Sequence, residues 1–415
     1  MADGIHKREF LKRGACLAFA GAGAAFLPAA PARAAAAPAR NNRIARVSAS
    51  IVSVQGEYAI GTYTRNARMG GVVAEVETED GLTGHGFAAI ADSTIVAATI
   101  RESIAGRLMG QDAMSHEAIV EQLYWALTDR GQTGNAIQAI SAVDCALWDL
   151  KGKRYGEPVW RLLGGANREV GGYATCGMNY MSRDELTYVA SELVKSGCNR
   201  LKMVVADGLP GRLRNEDIEA VLAEDAARVR ALREGAGPEA LIFIDANHHL
   251  DEWHAIRFAR MIADYDVAIF EEPLRANDIR RLADLRREIA IPIGAGQNEG
   301  HISRWRDMVV NDAVDVLHYN VCIGGGYTTG LKVAALGQAF GVPIDNGGGF
   351  SHFNVQLHGG VANGGLCEWH MNVVPFSRIL YNGIPELQGN KFILSETPGV
   401  GFELNREALQ EFTVG

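Results

Sequence analysis

Cysteine is scarce in this chain, and what there is shows no pattern. Cys16, Cys145, Cys176, Cys198, Cys322 and Cys367 are spread over 415 residues with no C-x-x-C and no paired spacing. That excludes a disulfide scaffold and a thiolate zinc site. Cys145, Cys176 and Cys322 lie in apolar surroundings and read as small core residues. Basic charge is not in excess either: 40 Lys and Arg face 49 Asp and Glu, a net charge of −9. Nothing therefore points to a nucleic-acid partner, and a polyanionic substrate would need a locally positive site. With 47% hydrophobic residues the chain is long and apolar enough for one large core and a smaller second domain.

What is present is a repeat. Residues 241–298 contain three short apolar runs, LIFID, VAIFEEP and IPIGAGQ, separated by amphipathic helical segments. Each run ends in an oxygen-bearing side chain, Asp245, Glu271 and Gln297, spaced 26 and 26 residues apart. Regular strand–helix–strand spacing with continuous apolar strands is the pattern of a parallel (β/α) barrel. Side chains at the C-terminal strand ends of such a barrel converge on one mouth. Three hard oxygen donors gathered there suit Mg²⁺. Acidic residues also follow strands as turn or N-cap residues, but the equal spacing argues against that for this pair.

The chain before the repeat has its own organisation. Residues 1–40 begin Lys7-Arg8-Glu9-Phe10-Leu11-Lys12, continue in Ala, Gly, Leu and Phe, and reach an A-x-A site at Ala32-Arg33-Ala34. This reads as an export signal of twin-arginine type, with Lys7 in place of the first Arg, and a linker. It predicts a periplasmic protein with no stable membrane span after processing, because the run is too short and too rich in Ala and Gly. Residues 41–165 read as an α+β domain. Its alternating strand from Gly71 to Thr78 turns at Glu79-Asp80-Gly81 into a second strand from Leu82 to Phe87. Residues 51–70, between the first strand and that hairpin, read as a loop. Residues 166–385 carry eight strand candidates: Tyr173–Cys176, Arg200–Val204, Phe243–Asp245, Ile269–Glu271, Ile293–Ala295, Val316–Asn320, Pro343–Asp345 and Cys367–Trp369. Residues 386–415 form a C-terminal segment that returns to the first domain.

The motifs Asp245-Ala246-Asn247, Glu271-Glu272-Pro273 and Gly296-Gln297-Asn298 resemble those of the enolase superfamily, in particular its mandelate racemase and muconate-lactonizing branch. So does the apolar stretch Ala139–Lys153, followed by Pro158–Gly165. The resemblance covers nearly the whole chain after residue 40. It implies a (β/α)7β TIM-like barrel under an N-terminal α+β capping domain. It also implies abstraction of the proton α to a carboxylate, and Mg²⁺ held by Asp245, Glu271 and Gln297. The third of these positions is an acid in the family and an amide here. Family members with this architecture commonly form homo-oligomers.

The usual proton-transfer groups are missing. The second-strand base falls on Val204, and the His–Asp pair falls on Gly347 and Asn320. The surviving candidates are Lys202, as a partner of the substrate carboxylate or as a base if burial lowers its pKa, together with His248, His249 and Asp345. His318 reads as a deeper, structural residue, and His352 as a group able to swing in from the Gly-rich loop. Tyr63, Arg65, Asn320 and Glu368 are the candidates for substrate contact, the first two because a capping loop would carry them over the mouth. These residues imply a lyase that eliminates water from a sugar acid or related hydroxy acid. The alternatives are a racemase, epimerase or cycloisomerase of the same superfamily, and a non-catalytic binding protein on an altered barrel.

Overall fold

The computed structural model describes residues 41–206 and 217–414. The export signal and linker expected over residues 1–40 lie outside the described residues.

The chain opens with three antiparallel strands, β1 (Ile44–Ile60), β2 (Tyr63–Thr78) and β3 (Thr83–Ala88). β1 and β2 pair along their whole lengths, from Ile44 opposite Thr78 to Ile60 opposite Tyr63. The expected loop at 51–70 is therefore a long hairpin with a two-residue turn at Gly61-Thr62. Its alternation was masked by Gly56, Gly70 and Gly71, which carry no side chain to mark a face. Gly61 takes φ 58°, as a tight hairpin turn of this hand requires. Ile44, Val47 and Ala49 pack with the helices of the capping domain. Farther along the same strand, Val52, Val54, Tyr58 and Ile60 join the barrel core. One strand thus belongs to both cores.

The barrel consists of eight parallel strands: β4 (Glu169–Gly177), β5 (Arg200–Val204), β6 (Leu241–Asp245), β7 (Val267–Glu271), β8 (Ile293–Ala295), β9 (Val316–His318), β10 (Ile344–Asp345) and β11 (Leu366–His370). They pair in sequence order, and β11 lies beside β4. The ring closes where Asn346 N donates to Leu366 O and Gly365 N to Ile344 O, both at 2.8 Å. Among the described residues a helix separates each strand from the next, which makes the (β/α)7β barrel expected from the spacing. The C-terminal segment pairs Lys391–Ile393 with β4 and then reaches β1, where Val414 N donates to Ile51 O at 2.9 Å.

The helix Asn135–Tyr155 joins the capping domain to the barrel and is buried along most of its length. Gly84 and Gly86 lie two apart on β3 and so face one side. A Cβ on either would overlap the backbone of Ala146 or Ala142, one turn apart on this helix. The glycines let strand and helix touch through their backbones. Asp149 secures the junction. Its carboxylate accepts from His85 N at 2.9 Å and Val400 N at 3.0 Å, and pairs with Lys153 Nζ at 2.9 Å. Burial would raise its pKa, but the charged neighbours outweigh that and hold it at about 2. Asp149→Ala would leave the His85 and Val400 backbone donors in the interior without an acceptor, while Lys153 keeps Glu403 at 3.2 Å. It should cost roughly 1–3 kcal/mol for each orphaned donor, measured by denaturant unfolding.

His352 is buried among Phe353, Tyr381 and Phe402, not poised to swing into the mouth. Burial lowers its pKa to about 3, against about 6.5 for an unfolded chain. Between those values the unfolded state binds the extra proton, so stability is lost as pH falls from about 6.5 toward 3. The unfolding free energy of His352→Leu should therefore fall less steeply with acidification than that of wild type. Equal slopes would contradict a neutral buried ring.

Candidate active site

The strand ends of β4 to β7 and β11 bring one ammonium among buried carboxylates. Lys202 Nζ lies 2.6 Å from Glu271 Oε2, 2.9 Å from Glu368 Oε1 and 3.5 Å from Asp245 Oδ2. Tyr173 Oη is also 3.5 Å away. Register explains the convergence: Lys202 pairs with Phe243 on β6 and with Thr175 on β4, and Asp245 is level with Glu271. All four charged side chains are buried.

Burial alone would lower the Lys202 pKa. Glu271, Glu368 and Asp245 outweigh that, and the net shift is well upward. The expectation that Lys202 could become a base does not hold, because three carboxylates keep it an ammonium. Its role is that of a fixed positive charge. Burial and the neighbouring Glu271 push the Asp245 carboxyl up, while Lys202 and His318 hold Glu271 down against its burial.

Glu368 has no free oxygen. Oε1 faces Lys202 and the Thr175 hydroxyl, and Oε2 accepts from Gly349 N at 2.6 Å. Asn320 is likewise committed: Nδ2 donates to Gly347 O at 2.7 Å, and Oδ1 accepts from Cys322 N at 2.9 Å. Both fasten the Gly347–Gly349 loop across the mouth. Asp345 sits one layer lower, level with His318, with Oδ1 accepting from Leu366 N at 2.7 Å. Burial raises the Asp345 pKa. Asp345, His318, Lys202, Glu271 and Tyr173 line an internal cavity of about 10 Å³, room for about one water.

Gln297 does not bond Glu271 or Asp245. Its Nε2 donates to Glu272 Oε2 at 3.0 Å. An ionised carboxylate only accepts, so this contact fixes the amide and turns Oε1 the other way. Gln297 Oε1 is buried with no hydrogen-bond partner, and Glu271 Oε1 faces His318 Nδ1 at 3.1 Å. Both flank the same place: a Cβ on Gly347 would overlap Gln297 Oε1 and fall 2.6 Å from Glu271 Oε1. Gly347 is thus a close approach of backbone to ligand-type oxygens, not simply the loss of a histidine. An orphaned amide oxygen beside a carboxylate oxygen fits a bound cation.

Glu272 is a centre that the sequence did not signal. Besides Gln297 it faces His248 Nε2 at 2.8 Å, Asn298 Nδ2 at 3.1 Å and Asn277 Nδ2 at 3.3 Å. His248 is thereby paired on the side of Glu272 away from Lys202. Burial would lower the His248 pKa, but the Glu272 carboxylate raises it overall. His249 is anchored through Nδ1 to Ala206 O at 2.9 Å. Tyr63 and Arg65 lie on β2, where the Arg65 guanidinium stacks 4.1 Å over the Tyr180 ring.

His370 was missed as well. It ends β11 two residues past Glu368, so alternation aims it the same way. Its Nδ1 accepts from Asn372 N at 3.2 Å, which leaves the ring hydrogen on Nε2. Burial lowers its pKa. His370 is therefore a neutral donor at the mouth.

A parallel barrel, a cap, and a charged cluster at the C-terminal strand ends have the layout of a (β/α)-barrel enzyme. Residues 46–164 match the N-terminal domain of mandelate racemase and muconate lactonizing enzyme, and residues 185–408 match the enolase C-terminal domain-like family. The chain belongs to this branch of the enolase superfamily. It is 30% identical to a D-galactarolactone cycloisomerase of Agrobacterium fabrum, over 82% of this chain and 90% of that protein. It is 28% identical to an arabinonate dehydratase of Saccharolobus solfataricus, over 82% and 90%. The crystal structure of a Streptomyces coelicolor racemase with bound magnesium superposes with a TM-score of 0.78 at 28% identity, covering 89% of this chain and all of that one.

Gly347→Ala tests the packing directly. The new methyl must displace Gln297 and Glu271, at a cost of roughly 1–3 kcal/mol. The readout is the melting temperature, and an unchanged value would mean that the two side chains are free to move.

Proposed function

We propose that this protein is a Mg²⁺-assisted lyase that removes the proton α to the carboxylate of a sugar acid or related hydroxy acid and eliminates a β-hydroxyl. The observation that carries the metal is the orphaned buried oxygen Gln297 Oε1, which faces the same place as Glu271 Oε1. Mg²⁺ held by Asp245, Glu271 and Gln297 would supply the charge that stabilises an enediolate. Lys202 adds a second, fixed positive charge for the substrate carboxylate. His370 donates through Nε2–H to an oxygen that leaves or gains charge. Val204 and Gly347 offer no base; His249 Nδ1–H donates to Ala206 O at 2.9 Å, which leaves the Nε2 lone pair of His249, on the loop after β6, to accept the α-proton.

Cycloisomerisation is the second reading, supported by the similarity to the galactarolactone cycloisomerase. It shares the same first step and differs in whether a ring oxygen or a hydroxyl leaves. Export to the periplasm through residues 1–40, and assembly into a homo-oligomer, complete the proposal. They rest on the sequence of that segment and on the family resemblance. Among the described residues no helix is long and apolar enough to cross a membrane.

With an amide as third ligand the protein-ligand charge is −2 instead of −3, so the metal is held less tightly but acts as a stronger electrophile. Calorimetric titration with Mg²⁺ should show binding to wild type and a loss on the order of tenfold or more in Asp245→Asn. If wild type binds no Mg²⁺ while Gln297→Glu does, the metal-assisted mechanism fails, and a binding role on an altered barrel takes its place.

A further inference from the structure

His370 stands at the end of a hydrogen-bonded chain that begins in the capping hairpin. Tyr58 on β1 is buried, and its Oη lies 3.0 Å from Tyr180 Oη, on the loop after β4. Tyr180 Oη lies 3.0 Å from Asn372 Oδ1, on the loop after β11. An amide oxygen only accepts. The single hydrogen of the Tyr180 hydroxyl is therefore committed to Asn372, and Tyr58 is the donor in the first bond. The chain runs one way, from Tyr58 through Tyr180 to Asn372. Its last link is the backbone of Asn372, whose N–H donates to His370 Nδ1 at 3.2 Å.

Other contacts hold these parts in register. Thr62 N donates to Tyr188 Oη at 2.9 Å, which pins the hairpin turn to the helix Arg183–Lys195 that follows Tyr180. The Arg65 guanidinium covers one face of the Tyr180 ring at 4.1 Å. Val373 N donates to His370 O at 2.9 Å and closes the turn that carries Asn372. A neutral imidazole places its hydrogen on either nitrogen, and the bond made at one nitrogen decides which. Here a backbone donor occupies Nδ1, so the hydrogen sits on Nε2. Among the described residues nothing bonds Nε2, and its hydrogen is left for a ligand.

We propose that Tyr180 and Asn372 are positioning residues for His370. They hold the turn after β11 so that its N–H selects the Nε2–H tautomer, and through Tyr58 the β1–β2 hairpin governs the donor at the barrel mouth. A hairpin displaced from Tyr180 would release that selection, so closure of the cap and readiness of His370 are coupled. The proposal rests on the donor role given to His370 above, but the tautomer is a property of the protein with no metal or substrate bound.

The test is nitrogen-15 NMR of the full chain with labelled histidine, without metal or substrate, at mildly alkaline pH. The His370 signals are assigned by their loss in His370→Gln. Wild type should show the Nε2–H tautomer in large excess. Tyr180→Phe keeps the ring and removes the donor to Asn372, and should raise the Nδ1–H share by roughly two- to tenfold. Asn372→Ala should act in the same direction. Tyr58→Phe leaves the Tyr180–Asn372 bond in place and should have a smaller effect. Melting temperatures of the same samples separate a tautomer shift from loss of the fold. A wild type without excess Nε2–H, an unchanged share in both Tyr180→Phe and Asn372→Ala, or a larger effect from Tyr58→Phe than from Tyr180→Phe would overturn the proposal. A screen of sugar acids that finds no elimination, beside an intact tautomer shift, would remove the lyase reading and support this coupling.

Discussion

The Lys202 ammonium, 2.6 Å from Glu271 and 2.9 Å from Glu368, is the contact on which the barrel mouth depends. Buried carboxylates without a counter-charge cost several kcal/mol each or take up a proton. Lys202 keeps Glu271 ionised, and burial together with Glu271 leaves Asp245 with a raised pKa. Glu368, held by the same ammonium, holds Gly349 N in turn and so sets the position of the Gly-rich loop. Of the two roles open to Lys202, partner of a carboxylate or base, its three carboxylate neighbours favour the fixed charge.

The two unusual positions, Gln297 and Gly347, make sense together. Glu272 accepts from the Gln297 amide, which forces its oxygen toward Gly347. A side chain at 347 would collide with that oxygen. Any side chain at 347 and this glutamine in this pose exclude one another. Glu272 also carries His248, Asn298 and Asn277.

The cap and the barrel share structure more than sequence domains suggest. β1 runs through both cores, and the helix Asn135–Tyr155 touches β3 backbone to backbone through Gly84 and Gly86. Tyr63 and Arg65 accordingly stand on a paired strand that packs toward Tyr180, and their positions are set by sheet register.

The barrel itself was legible in the sequence. The 26-residue spacing of Asp245, Glu271 and Gln297, the apolar runs before them and the intervening amphipathic helices specify parallel strands with aligned ends, because local periodicity dictates which face each element buries. Strand alternation placed the deeper His318, and the family resemblance placed Lys202 and Glu368. Local periodicity failed at β1–β2, where glycines erase the alternation, and for the partners of Glu272 and the role of His370, which follow their strand-end carboxylates by one and two residues. Tertiary structure alone decided the protonation of Lys202, the direction of the Gln297 amide and the pairing of His248. Each depends on charges and donors brought from strands far apart in the chain, and electrostatic balance in a buried site is a property of distances that no local pattern encodes.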